Sequence, residues 1–64
     1  MVSYIVDIKR NGHWEPDCEY YGLMTALQVA RYVSDELQYP VRVWRYELSG
    51  LTLVSIFNPP VSLE

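Results

Sequence analysis

The chain has 64 residues, enough for one small domain, and 50% of them are hydrophobic, including two Trp, six Tyr and one Phe. This composition excludes a disordered tail, and the formal net charge of −3 disfavours non-specific binding to nucleic acid or to an anionic membrane. The single cysteine excludes an internal disulfide, and no apolar run reaches the ~20 residues of a membrane-spanning helix, so we expect a cytoplasmic protein without a membrane partner.

The first part of the chain predicts a β-hairpin. Apolar and polar side chains alternate over Ser3–Arg10, as in a strand, and Asn11-Gly12 follows, the dipeptide that favours a type I′ turn. A short second strand is expected over residues 13–15, because Pro16 either ends it or confines it to a sheet edge. Residues 17–22 are expected to be irregular, although Tyr20 and Tyr21 could add a strand-like stretch.

A helix is the next predicted element. Thr25 and Gln28 match a capping box, and Met24 and Val29 occupy the two positions of a hydrophobic staple, so the helix is expected to begin at Thr25. Pro40 disfavours helix at the residue before it and ends an element of about 13 residues. The predicted apolar stripe consists of Leu23, Leu27, Ala30, Val33 or Ser34, and Leu37.

Two strands are predicted after the helix, over Val41–Glu47 and over residues 51–57, with a turn at Ser49-Gly50 between them. The predicted order is therefore β-β-α-β-β, or β-α-β-β if the second strand does not form. Strands on either side of one helix favour an α+β fold, a small antiparallel sheet with the helix packed on one face.

The expected domain organisation is a single α+β domain over residues 1–58. Asn58, Pro59 and Pro60 end the last strand, and residues 59–64 are expected to form a short flexible tail. Leu63-Glu64 matches the usual junction before a C-terminal histidine tag and is interpreted as a possible vector scar.

One face of the predicted sheet remains without cover, because a single helix of this length covers only the other. The strand over Val41–Glu47 offers two alternating sets, each with large apolar side chains: Val41, Val43 and Arg45, or Arg42, Trp44 and Tyr46. The pattern leaves open which set meets the helix. Either choice leaves apolar surface, which in a monomer of this size favours association with a partner.

These features favour a non-enzymatic protein-interaction domain that self-associates through its sheet, as a homodimer, or binds another protein partner. Trp, Tyr and Arg are the residue types enriched at interface hot spots. The predicted contact residues are Arg42, Trp44, Arg45 and Tyr46, with Trp14 after the first hairpin turn as a further candidate.

Two other function classes are compatible with the residue types. The interleaved arginines and aromatics from Arg42 to Tyr46 are typical of a sheet that binds single-stranded nucleic acid, although five cations against eight acids disfavour that partner. His13, Asp17 and Cys18 are the types found in thiol or metal enzymes, but they form only half of a zinc motif and lie in one short segment. We therefore predict no catalytic site, no metal and no cofactor. The outline of the chain is reminiscent of many small bacterial proteins, which carries no function.

Overall fold

A computed structural model describes residues 1–60 of the chain. In chain order its elements are β1 (Ser3–Arg10), β2 (His13–Tyr20), α1 (Leu23–Glu36), β3 (Val41–Glu47) and β4 (Gly50–Phe57). The four strands form one antiparallel sheet in the order β2-β1-β3-β4, with α1 packed mainly over β1 and β3. This confirms the predicted α+β fold and the order β-β-α-β-β. The suggested vector scar at residues 63–64 lies outside the described residues.

The turn between β1 and β2 has the predicted conformation. Asn11 has φ of 52° and Gly12 has φ of 80°, so both central residues have the positive φ that a type I′ turn requires. Lys9 and Arg10 then pair with Trp14 and His13 on the returning strand. The turn thereby fixes the register of the hairpin.

We expect Gly12→Val to lower the free energy of unfolding by about 1–2 kcal/mol, because a β-branched residue disfavours positive φ. A Cβ added at Gly12 meets no atom within 4 Å, so this cost belongs to the backbone and not to a clash. Gly12→Asn is the matched control, since asparagine tolerates positive φ. Urea unfolding measures both, and equal losses for the two variants would contradict this explanation.

Strand β2 is longer than predicted, and the expectation of a strand over residues 13–15 followed by an irregular segment is wrong. The strand continues through Pro16 to Tyr20. It can do so because β2 is an edge strand, so one side of it needs no ladder donor. The register also shifts between Val6 and Asp7, which leaves Asp17 as the extra residue of a bulge next to the proline.

Helix α1 begins earlier than predicted, and the capping box at Thr25 and Gln28 is wrong. The N-cap is Gly22, whose carbonyl accepts a hydrogen bond from the amide of Ala26 at 3.1 Å, and no side chain among the described residues caps this end. Thr25 lies inside the first turn. Because β2 extends to Tyr20, only two residues remain for the connection, and the chain enters the helix before Thr25.

The buried stripe of α1 agrees with the prediction at Ala30, Val33 and Ser34 but differs from it at the two ends. Its buried residues are Ala26, Ala30, Val33 and Ser34, whereas Leu23 and Leu37 are exposed. The prediction included the leucines because they fall at helical spacing. The small side chains of Ala26 and Ala30 instead bring the helix backbone close to the sheet, and the bulkier residues are displaced to its flanks.

The hydrophobic core lies between α1 and one face of the two central strands. Its fully buried members are Val6 and Ile8 from β1, Ala26 and Ala30 from α1, and Val41 and Val43 from β3, with Val33 nearly so. The helix therefore covers the Val41 and Val43 face, which resolves the alternative that the sequence left open. The other alternating set of β3 lies on the uncovered side of the sheet.

Candidate functional site

The sheet face opposite α1, which we call the open face, is covered by no element among residues 1–60. Strand register assigns to it Ser3, Ile5, Asp7, Lys9, Trp14, Pro16, Glu19, Arg42, Trp44, Tyr46, Leu51, Leu53 and Ile56. Its four large residues at the β4 end, Tyr46, Leu51, Leu53 and Ile56, are between 42% and 56% exposed. The open face thus presents a contiguous set of large apolar side chains to solvent.

A cluster of four side chains, Asp7, Trp14, Arg42 and Trp44, lies near the β2 end of the open face. Arg42 donates from Nε to Asp7 Oδ2 at 3.1 Å, and its Nη2 forms an ion pair with the same oxygen. Trp44 Nε1 donates to that oxygen at 3.3 Å. The Arg42 guanidinium lies 3.8 Å from the Trp14 ring centroid and 5.2 Å from that of Trp44. We call these four residues the Trp-Arg cluster.

The strand register explains how the Trp-Arg cluster assembles. Asp7 on β1 lies directly opposite Arg42 on β3 and opposite Pro16 on β2, so the carboxylate and the guanidinium meet across one strand pair. Trp44 lies two residues further along the same face of β3. Three donors converge on one carboxylate oxygen, and cation–π attraction holds the guanidinium against the two indole rings. The result is a fixed, charge-neutral surface of aromatic and guanidinium planes.

A concavity of about 310 Å³ lies beside the Trp-Arg cluster. It is lined by Ile5, Asp7, Pro16, Arg42, Trp44 and Leu51. This volume is at the lower limit of small-molecule pockets, and its lining is mainly apolar with one neutralised ion pair. It therefore suits one or two apolar side chains of a protein partner.

The structure brings four of the five predicted contact residues to one face. Arg42, Trp44 and Tyr46 share the open face with Trp14 from β2. Arg45 lies on the helix side of the sheet, where it pairs in register with Tyr4 and Thr52, and its Nε is 3.6 Å from Glu47 Oε1. Arg45 therefore cannot contact a partner together with the others.

Sequence reasoning missed Asp7, the residue that organises the Trp-Arg cluster. Asp7 is 8% exposed and is the acceptor for both Arg42 and Trp44. A pattern in the sequence could have indicated it, because Asp7 is the only charged residue in the apolar stretch from residue 3 to residue 8. A carboxylate at such a position requires a cationic or hydrogen-bonding partner.

The structure does not bring His13 and Cys18 together. They lie five residues apart on one extended strand, which separates their Cα atoms by about 16 Å. The Cys18 thiol instead donates to the Glu19 carbonyl at 3.7 Å. The pKa of Tyr20 is raised by burial and, to a smaller extent, by the neighbouring Cys18 thiol. Within residues 1–60, no three His, Cys, Asp or Glu side chains are grouped closely enough to hold a metal ion.

Comparison of the chain with protein-family models, with curated proteins and with solved structures finds no match. In the part of the chain that the structure describes, no helix is long and apolar enough to cross a membrane. The functional argument therefore depends on the open face and on the edges of the sheet.

Proposed function

We propose that this chain is a non-enzymatic protein-interaction domain that self-associates through its sheet. The observation that carries the proposal is the open face, where large apolar side chains at the β4 end are about half exposed beside a fixed Trp-Arg cluster. Contiguous exposed apolar surface of this kind marks association sites in small proteins. A second copy that covers it would remove the unfavourable exposure.

The size of the open face supports the proposal. Four strands of seven or eight residues span roughly 25 Å by 19 Å, the dimensions expected for one partner's share of a small interface. The Trp-Arg cluster lies inside this area, and interface hot spots are enriched in Trp, Tyr and Arg surrounded by residues that exclude water. Its arginine is already paired with Asp7, so covering it leaves no unpaired charge.

The self-association is tested by light scattering on a sizing column over a dilution series of the unmodified chain. We expect a mass of twice the 7.5 kDa of one chain at high concentration, with dissociation toward one chain only at high dilution. A mass of one chain at every concentration would overturn the proposal. In that case a heterologous partner of the open face becomes the next hypothesis.

A second candidate function is the binding of single-stranded nucleic acid on the open face. The observation that favours it is that Trp14, Trp44 and Tyr46 share this face with Lys9, as in sheets that stack bases on aromatic rings. We place this function second to self-association because Arg42, the cation nearest the indole rings, is already paired with Asp7. Salt-dependent binding of a labelled oligonucleotide by the monomer would favour this candidate over self-association.

A further inference from the structure

The charged and the uncharged side chains of the open face lie on opposite sides of it. Lys9 on β1 and Glu19 on β2 form no ion pair within residues 1–60. The Arg42 guanidinium lies on the same side, because it reaches across β1 to the Trp14 ring of β2. Toward the β4 edge the open face carries uncharged side chains, those of Trp44, Tyr46, Leu51, Leu53 and Ile56. An interface that buries no unpaired charge is therefore centred toward β4.

The uncharged part of the open face has a row of exposed side chains beside a recess. Leu51, Leu53 and Ile56 on β4 are 56%, 42% and 52% exposed. Ile5 and Trp44 are less exposed, and they line the concavity of about 310 Å³. Each copy of the chain thus offers both apolar side chains that project and a recess that such a side chain can fill.

The directions of the strands limit how two open faces can pack. Sheets that share no strand pack with their strands aligned to within about 30°, so a two-fold axis in the interface is nearly parallel or nearly perpendicular to the strands. A perpendicular axis places every strand against its own copy, so that β4 meets β4 and β2, with Glu19, meets β2. A parallel axis places β4 of each copy toward the concavity of the other. The parallel axis therefore matches the shapes and separates the acidic strands.

The strand register fixes the position of a strand-parallel axis. Ile5 on β1 and Leu53 on β4 both pair with Trp44 of β3, one on each side of it. An axis along β3 therefore places Leu53 of the partner subunit over Ile5, and it leaves Glu19 beyond the partner's β4 edge. An axis between β1 and β3 would bury Glu19 under the partner's Leu53, because Glu19 pairs with Ile5. An axis between β3 and β4 would leave Ile5 uncovered.

We infer that a second copy of this chain packs its open face on this one about a two-fold axis along β3, with Leu53 of the partner subunit in the concavity and the reciprocal contact across the axis. This inference rests on the proposed function and specifies its geometry. Trp44 and Tyr46 lie at the axis, where each meets its own copy and aromatic packing adds to the buried area. Lys9 lies one residue level beyond the end of β4 and stays at the rim. The dimer has both sheets inside and both helices outside.

The contact between Leu53 and Ile5 of the partner subunit is tested by mixing two charge variants. Leu53→Lys places an ammonium group in the concavity of the other copy, and Ile5→Glu places a carboxylate in its lining. Each variant alone buries unpaired charges, so we expect its dimer affinity to fall by about tenfold or more. In an equal mixture, a mixed dimer pairs the lysine with the glutamate at one contact and keeps the other contact unchanged. We expect the mixture to recover most of the lost affinity.

The matched control is the mixture of Leu53→Lys with Ile5→Lys. It changes the same two positions but brings like charges together, so we expect it to remain monomeric where the lysine–glutamate mixture is dimeric. Light scattering measures the mass of both mixtures at a concentration at which each single variant is monomeric. Circular dichroism checks that each variant is folded.

A second measurement uses the unmodified chain and decides the question if a variant does not fold. In a mixture of isotope-labelled and unlabelled chains, nuclear Overhauser contacts between the two kinds of chain arise across the interface. We expect such a contact between the methyl groups of Leu53 and those of Ile5. Its absence from the spectrum of the dimer overturns the inference, and a contact of Leu53 with Leu53 of the partner subunit indicates the perpendicular axis instead.

The outcomes separate this inference from the proposed function. Recovery in the lysine–glutamate mixture without recovery in the control supports both. A dimer of the unmodified chain with recovery in both mixtures or in neither overturns the axis along β3, while self-association stands. A dimer whose affinity neither Leu53→Lys nor Ile5→Glu reduces also overturns this geometry. An unmodified chain that is monomeric at every concentration overturns both.

Discussion

Asp7→Ala will lower the free energy of unfolding by about 2 kcal/mol, because it leaves the Arg42 guanidinium and the Trp44 indole N–H without their shared acceptor. The side chains are 11% exposed at Asp7 and 25% exposed at Arg42, so water can replace only part of what is lost. Chemical denaturation of the monomer measures the change. The same variant should weaken self-association, since it releases the Trp-Arg cluster from its fixed geometry.

Two further variants show whether the effect of Asp7 comes from this pairing. Asp7→Asn retains a side-chain oxygen that can accept the hydrogen bond from Trp44 but removes the charge that pairs with Arg42. Its loss in the free energy of unfolding should therefore be smaller than that of Asp7→Ala. Arg42→Met retains the apolar stem of the side chain. The double variant Asp7→Ala/Arg42→Met should lose less free energy of unfolding than the two single variants lose together. Strictly additive losses would show that the Asp7 and Arg42 side chains are not coupled.

The fold follows closely from the sequence where local chemistry and tertiary structure agree. The alternation over Ser3–Arg10 and Val41–Glu47 gives strands with the predicted bounds, because both strands are central and the periodicity reports their buried face. Asn11-Gly12 gives the predicted turn because few other dipeptides allow two consecutive positive φ values. At these positions the local preference is strong and nothing in the packing opposes it.

The errors occur where packing overrides a local pattern. Pro16 predicts either an early end to β2 or an edge position for it, and the structure shows the second, with the strand absorbing the proline through a bulge. The capping-box pattern at Thr25 is outweighed by the short connection after β2. The predicted stripe is right at Ala30, Val33 and Ser34 but wrong at the leucines of its two ends, because the distance between helix and sheet selects small residues and sequence periodicity does not report that distance.

The residue types of the candidate site could be predicted from the sequence, but their arrangement in space could not. The aromatic and basic residues of β3 were expected to contact a partner, and alternation alone shows that Arg45 points away from Trp44. The role of Asp7 depends on the pairing of β1 with β3, which are more than 30 residues apart in the chain. The register of β4 with β3 also shifts, so that Val54 is the extra residue of a bulge and both Leu53 and Ile56 lie on the open face, and no local pattern in the sequence reports this shift.

Ile8→Ala will have the largest effect on stability, a loss of about 3 kcal/mol in the free energy of unfolding. Ile8 is 1% exposed and is among the largest fully buried side chains of the core between the sheet and α1. A domain of this size has a total stability of only about 3–10 kcal/mol, so the variant should be partly unfolded near room temperature or melt much earlier than the unmodified chain. Thermal unfolding followed by circular dichroism measures this.

Ile56→Ala is the matched comparison, since it removes the same atoms from a side chain that is 52% exposed on the open face. In the monomer its cost should be below about 1 kcal/mol, because little buried surface is lost. Repeating the measurement at two protein concentrations separates the two kinds of loss. The loss from Ile8→Ala should arise within one chain, whereas the loss from Ile56→Ala should grow with concentration if the side chain contributes to self-association. Equal and concentration-independent losses at both positions would mean that Ile56 contributes to the core of one chain, contrary to its place on the open face.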